Sequence, residues 1–321
     1  MRIFRHLDEV PADFAPTILS AGNFDGIHRA HQLVLGEIAR RAREARAQSL
    51  AVTFEPHPVR VLRPDLAPRL ITPLSRKLQL MEATGISAAL VLPFTRDFSV
   101  TTARDFARLL RERLHAIEVH EGSNFHFGHK AEGDVERLSE LGREFGFQVK
   151  IYPEMQSHGD IVSSSRVREL LREGRVSRAR ALLGRAFSVT STPGRGRGYG
   201  QKYTVPTINL SQYEELVPSE GVYVTRTRVG AESFDSVTNV GHRPTFGEDS
   251  FAIETHLLGF HPISLTFETE LEISFLRRLR VEIKFSSVEL LRAQISRDIR
   301  KAERYFRLAQ HLNPAATIPP E

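Results

Sequence analysis

A chain of 321 residues with 40% hydrophobic content is long for one domain and carries enough apolar material for two cores, and its lack of cysteine excludes disulfides, thiolate metal sites and cysteine nucleophiles. Its formal charge of +5 rests on arginines spread through segments such as Arg40-Arg41-Ala42-Arg43 with acids close by, which is the pattern of a solvated helix face and argues against a nucleic-acid partner; a modestly basic surface also suits phosphate-bearing substrates. No run of roughly 18 apolar residues occurs, and acids at Asp8 and Glu9 stand where a secretory signal needs an apolar stretch, so no membrane partner and a cytoplasmic location are expected.

From Thr17 to about Tyr152, short apolar runs alternate with helical periodicity, the signature of a parallel sheet flanked by helices. Strands are predicted at 17–21, 50–54, 88–92, 117–120 and 148–152. Helices are predicted where Leu35, Ile38, Ala39 and Ala42 recur at helical spacing and near 103–114. Two short helices follow over 163–184, the second closed by Gly184, and the domain boundary is placed after them, giving domains 1–185 and 186–321. After Phe187, β-branched and aromatic runs at 221–225, 236–240 and 271–275 are divided by Gly and Pro, as in a small antiparallel Greek-key barrel. A last helix begins at Ser286, with Glu289 at capping-box spacing. Its stripe of Val288, Leu291, Ile295, Ile299, Ala302 and Phe306 is expected on the barrel wall, and the tail from Pro314 is expected to be loose.

The first chemical constellation follows the first strand: Gly22-Asn23-Phe24-Asp25-Gly26-Ile27-His28-Arg29-Ala30-His31, running straight into a helix. A Gly-rich turn opening a helix offers free N–H groups and a positive dipole end to phosphate. His28 and His31, three apart, share one face of the first turn and can donate to phosphates; a bare pair of this spacing reads first as cap or packing, and the strand, turn and helix around it favour the phosphate role. Likewise, Ser163-Ser164-Ser165 alone reads equally as a plain N-cap.

Together these segments resemble the nucleotidyltransferase superfamily. Thr53-Phe54-Glu55-Pro56-His57-Pro58, Gly122-Ser123-Asn124-Phe125-His126-Phe127-Gly128 and Ser163-Ser164-Ser165-Arg166 look like the successive motifs of the bacterial FAD synthetase domain. The resemblance implies that His28, His31 and Arg166 are catalytic, that Gly22, Phe24, Asp25 and Ser164 hold ATP phosphates, and that Phe54, Pro56 and Asn124 contact flavin. The chain departs from the usual pattern with Ala30 between the histidines, with His126, and with Ala131.

The second constellation is Thr192-Pro193-Gly194-Arg195-Gly196-Arg197-Gly198-Tyr199-Gly200, followed by Pro206-Thr207-Ile208-Asn209. A loop of Gly and Arg can wrap phosphate closely, or be an ordinary surface loop. With Gly221-Val222-Tyr223, Asn239-Val240-Gly241-His242-Arg243-Pro244-Thr245-Phe246 and Glu254-Thr255-His256, it looks like the ordered motifs of riboflavin kinase. That resemblance implies phosphate binding at Gly194 and Gly198, Mg²⁺ on Thr207 and Asn209, and Glu254 as the catalytic carboxylate; from its strand position alone, Glu254 could simply face solvent. Gln201, Thr204 and Gly259 depart from the common pattern.

The whole chain thus resembles the bifunctional bacterial riboflavin kinase and FAD synthetase family, with riboflavin, FMN and ATP as ligands. Two rivals are a nucleotidyltransferase of another substrate with an unrelated barrel, and a binding regulator that has lost catalysis. The sequence says nothing of the oligomeric state.

Overall fold

The computed structural model describes residues 1–11, 13–14, 16–194, 207–211, 213–243, 250–259, 261 and 265–312. The chain divides into two units, Met1–Val167 and Arg168–Glu321.

In the first unit a six-stranded parallel sheet is formed by β1 (Arg2–Phe4), β2 (Thr17–Ala21), β3 (Gln48–Glu55), β4 (Ala88–Pro93), β5 (Ala116–Gly122) and β6 (Gln148–Tyr152), in the order β1-β4-β3-β2-β5-β6. Central β2 is buried at every position, as a strand covered on both faces must be. Alternate residues feed two apolar layers. Leu19 and Ala21 pack with Phe106, Leu110, Leu138 and Leu141, from α4 (Ala103–Glu112) and α5 (Val135–Phe145). Ile18 packs with Leu35, Ile38, Ala42 and Met81, from α1 (Arg29–Ala45) and α3 (Leu74–Glu82), which α2 (Pro58–Leu62) precedes. From β2 the chain steps one way to β3 and β4, and later the other way to β5 and β6. The order therefore reverses between β2 and β5, and a crevice opens outside the carboxyl ends of these two strands. A short hairpin of β7 (Gln156–Ser157) and β8 (Asp160–Ile161) precedes α6 (Ser164–Arg172), whose Ser163 hydroxyl caps it by accepting from Arg166 N–H at 3.2 Å.

In the second unit α7 (Val176–Leu183) ends at Gly184 with φ of 73°, a left-handed cap. Six antiparallel strands follow: β9 (Phe187–Ser191), β10 (Ile208–Asn209), β11 (Gly221–Val229), β12 (Glu232–Arg243), β13 (Ser250–Leu257) and β14 (Leu271–Arg280). Their order, β10-β13-β12-β11-β14-β9, contains the Greek key: three successive strands, and a fourth returning beside the first. Gly194 N–H donates to Asn209 O at 2.8 Å and Ser211 N–H to Thr192 O at 2.9 Å, joining the two edges into a barrel. Part of the interior is polar. Thr225 bonds Ser236 (2.8 Å) and Thr238 (2.7 Å), Thr227 bonds Ser236 (2.8 Å) and Thr255 (3.2 Å), and Thr238 donates to Thr255 (2.9 Å), a closed ring of buried hydroxyls in which each finds two partners.

The last helix, α8 (Val288–Leu312), lays Ala302 and Phe306 on Val224 of the barrel wall. Two details of the sequence reading are corrected. The cap is Ser287, not Ser286, because it is the Ser287 hydroxyl that accepts from Leu290 N–H (3.3 Å). Val288, ahead of the first full turn, is exposed and stands outside the stripe. Midway along the helix, buried Asp298 accepts from Arg280 Nε and Gln294 Nε2, both at 2.9 Å, pinning α8 to β14. The expected loose tail lies outside the described residues.

Candidate functional site

The signature loop leaves β2 at the crevice, and two buried polar side chains hold its shape. The Asp25 carboxylate accepts from the Ile71 and Thr72 N–H groups at 3.0 Å, and Gly26 N–H donates to the Thr72 hydroxyl at 3.0 Å. Behind the loop, Lys77 is 3% exposed and its ammonium donates to Asn23 O (3.0 Å) and Thr53 Oγ1 (3.3 Å), while Thr53 donates to the same carbonyl (3.2 Å). Burial lowers the Lys77 pKa, with Asp25 and Glu55 opposing the fall. Asp25 and Lys77 thus fix a turn whose Phe24, Gly26 and Ile27 all have positive φ.

At the head of α1, Nδ1 of His28 accepts from His31 N–H at 3.4 Å, capping the helix. An Nδ1 that accepts leaves the ring proton on Nε2, so neutral His28 offers a donor there. The two imidazoles stack with centroids 3.6 Å apart, and His31 meets Phe24 edge-on at 5.1 Å. Burial holds His31 well below the usual histidine range, and the positive charge of Lys77, with that of His28 when it is protonated, pushes the same way. Its Nδ1 is buried without a hydrogen-bond partner.

Both rings line a cleft of about 1390 Å³ in the first unit. Gly22, Phe24, Phe54, Asn124 and Ser164 line it too, so the structure brings these predicted residues together. Asp25, Pro56 and Arg166 do not line it: Asp25 faces residues 71 and 72, and Arg166 Nε donates to buried Asp160 at 2.8 Å. Ser164 donates its hydroxyl to Asp25 O at 2.8 Å, tying the start of α6 to the loop. One wall is aromatic, with Phe54, Phe94 and Phe98 in mutual contact at 5.8–5.9 Å and Phe125 stacked on Phe127 at 5.4 Å, an apolar surface suited to a planar ring.

Sequence reasoning missed Lys77 and Glu121. Lys77 lies among Leu74, Leu78 and Met81 at helical spacing, and a lysine on an apolar stripe was the available signal. Glu121 lies at the cleft floor, 4% exposed, accepting from Ala21 N–H at 2.7 Å and the Ser20 hydroxyl at 3.5 Å. On the opposite face of β5, buried His120 bonds Glu118 and the Tyr152 hydroxyl, both at 2.9 Å, and Glu118 is held below the usual carboxylate range by Arg41.

In the second unit the predicted metal and base residues sit in register. Glu254 of β13 is directly opposite Asn209 of β10 and, on its other side, Asn239 of β12. Residues opposite one another across strands share a face, with Cβ atoms about 5 Å apart, so half-buried Glu254 is flanked by two amides. Thr207, two residues before Asn209, has the same parity. A Cβ on Gly194 would fall 2.7 Å from Leu210 O, so glycine there lets the loop strand close on β10. Gly198 lies outside the described residues. The Glu282 carboxyl lies against Gly241, two positions along β12 from Asn239.

Residues 10–166 match the family model for FAD synthetase and residues 183–306 that for riboflavin kinase. Over 304 residues the chain is 32% identical to the bifunctional riboflavin kinase/FMN adenylyltransferase of Pseudomonas fluorescens, covering 94% of this chain and 97% of that protein. It is 30% identical to the enzyme of the same name from Escherichia coli K12, covering 97% and 98%. A solved structure described as a macrolide-efflux protein from Streptococcus pneumoniae superposes with a TM-score of 0.84 over 94% of this chain and 98% of that one; at 24% identity it shows the fold alone.

Proposed function

Since the chain belongs to the bifunctional riboflavin kinase/FMN adenylyltransferase family, and so phosphorylates riboflavin with ATP and adenylylates the FMN formed, we propose how its residues divide that work. We place the boundary between the two domains at 185/186, close to residue 183 where the riboflavin kinase match begins and beyond the division of the chain after Val167.

In the C-terminal domain a neutral ribityl hydroxyl must attack the γ-phosphorus. Glu254 orients that hydroxyl and takes its proton as the new P–O bond forms and ADP leaves. Thr207 and Asn209 supply oxygens to a Mg²⁺ ion, which favours hard ligands and keeps waters; bound there, the ion would offset phosphate charge. Gly194 borders the phosphate loop, and the phosphate role expected of Gly198 falls outside the described residues. The observation that carries this reading is the Asn209–Glu254–Asn239 register, which supports carboxylate and metal-ligand amide working on one substrate.

In the N-terminal domain the nucleophile is the FMN phosphate, already anionic, so no general base is needed. The requirement is donors around the α-phosphate and departing pyrophosphate. His28 through Nε2, His31 and the Phe24 N–H fill that role, and Gly22, whose own N–H donates to Val52 O at 2.9 Å, leaves room for the phosphates to approach the backbone. Ser164, Asp25 and Arg166 hold the loop and the start of α6 in place, Arg166 through Asp160. Phe54 and Asn124 face the flavin.

The enzyme works in the cytoplasm without a nucleic-acid or membrane partner. Among the described residues no helix is long and apolar enough to cross a membrane, and surface arginines such as Arg40, Arg104 and Arg108 are paired with acids.

Glu254→Gln is the test: riboflavin phosphorylation falls about 10²- to 10⁴-fold while adenylylation of supplied FMN stays near normal. Equal loss of both activities would overturn the assignment.

A further inference from the structure

At the floor of the adenylyltransferase cleft, where β2 and β5 diverge, stands a carboxyl group that the reaction does not call for. The ligands of this site are polyanions, and the loop that begins at Gly22 is built to receive phosphate. Glu121, one residue before the end of β5, lies beside that loop, bonded to the N–H of the residue before Gly22.

We infer that Glu121 is a determinant of nucleotide affinity in this cleft, carrying a proton whenever polyphosphate is bound, so that ATP binding and protonation of this side chain are a single event. The geometry leaves the ionised form little support. The side chain is 4% exposed, its face of β5 packs Val119 into the apolar layer with Phe127 and Leu138, and its hydrogen-bond partners are Ala21 N–H and the Ser20 hydroxyl. Among the described residues, the charged and titratable groups of the surrounding elements, Arg63 of the cleft wall included, do not bond the carboxyl. His28 and His31 stack on one another at the start of α1; on the loop after β5, His126 bonds Asn124 O and His129 bonds Ser99 O. Lys130 of the same loop, and Tyr152 and Glu154 at the end of β6, line the cleft without bonding the carboxyl, and Glu118 and His120 occupy the other face of β5. Burial already raises the Glu121 pKa well above the carboxylate range, opposed by its two hydrogen bonds. Incoming phosphates add like charge and raise it further. By linkage, affinity for polyphosphate then weakens as pH rises between the two values, by up to about tenfold per unit.

This rests on the cleft being the adenylyltransferase site. The experiment is FAD formation from supplied FMN and ATP at pH 6–9 for the wild type, Glu121→Gln and Glu121→Val. The expected result is a KM for ATP that climbs with pH in the wild type relative to both variants, with kcat unchanged and with the KM for ATP in riboflavin phosphorylation the same in all three. A wild-type to variant KM ratio that stays constant with pH would overturn the inference. Calorimetry with pyrophosphate and the wild type, in buffers of different ionisation heat, gives an answer independent of the variants: proton uptake is expected, and none at any pH would also overturn it. If FAD formation survived His28→Ala, the siting of the reaction would fail instead.

Discussion

An imidazole that caps a helix with one nitrogen is oriented before any ligand arrives. His28 spends Nδ1 on His31 N–H, and the ring stacked on His31 cannot rotate without breaking both contacts. In the role proposed for it, a preset donor at Nε2 meets charge developing on the phosphates at no reorganisation cost, which is where transition-state stabilisation comes from. His28→Ala should lower FAD formation from supplied FMN about 10²- to 10³-fold, the scale of one such donor, and leave FMN formation from riboflavin intact. The lost cap costs a further ~1 kcal/mol of stability, a loss that a denaturant titration would register separately from the kinetic effect. An equal fall in both activities would show that the substitution acts through the fold. Lys77 complements this arrangement from behind: an ammonium this deep is tolerated because Asn23 O and Thr53 Oγ1 accept from it, and its charge adds to the burial that lowers the His31 pKa.

At the scale of elements, the loop between β5 and α5 does the most positioning. It carries Asn124, Phe125 and Phe127 along the cleft and is anchored to the start of α4, where the Glu132 carboxylate accepts from Ala103 N–H at 2.7 Å. Gly128 allows that approach. Its φ is 79° and a Cβ would fall 2.7 Å from Ala103 N, a backbone atom held by the helix. Gly128→Ala is therefore expected to cost more than about 1–2 kcal/mol through the left-handed conformation alone, with the clash added. A lowered denaturation midpoint, together with FAD formation falling more than FMN formation, would bear this out; an unchanged midpoint would mean the loop can lift off α4 freely. The same elements show what the sequence could reveal. The five longer strands of the parallel sheet, the Gly184 cap and the His28–His31 pair announce themselves through short-range pattern, because strand, turn and helix each leave a local periodicity. The three-residue β1 leaves almost none. Glu121 lies just past the expected strand 117–120, and only the pairing of β5 with β2, a contact between residues a hundred positions apart, reveals that it is buried. Nor could spacing reveal that the Asp25 carboxylate turns toward residues 71 and 72, or choose Ser287 over Ser286 as the cap.

Across the whole molecule, one domain's product is the other's substrate, and among the described residues the two proposed sites share none. The barrel site is built on cross-strand register and the cleft on a loop at a strand-order switch, so each can be disabled without touching the other. This independence makes complementation decisive. Glu254→Gln alone, given riboflavin and ATP, should yield little FMN and hence little FAD; His28→Ala alone should stop at FMN. Mixed in equal amounts, the two variants should convert riboflavin to FAD, with FMN rising first and then declining as chromatography follows the three flavins over time. The restored reaction should show a lag that shortens as total protein is raised, since FMN must leave one molecule and find another. A mixture that accumulates FMN without FAD, although Glu254→Gln adenylylates supplied FMN on its own, would show that FMN made by the barrel does not reach a second molecule. Transfer of product would then be a property of the single chain, and each site's independence would hold for its chemistry but not for its supply.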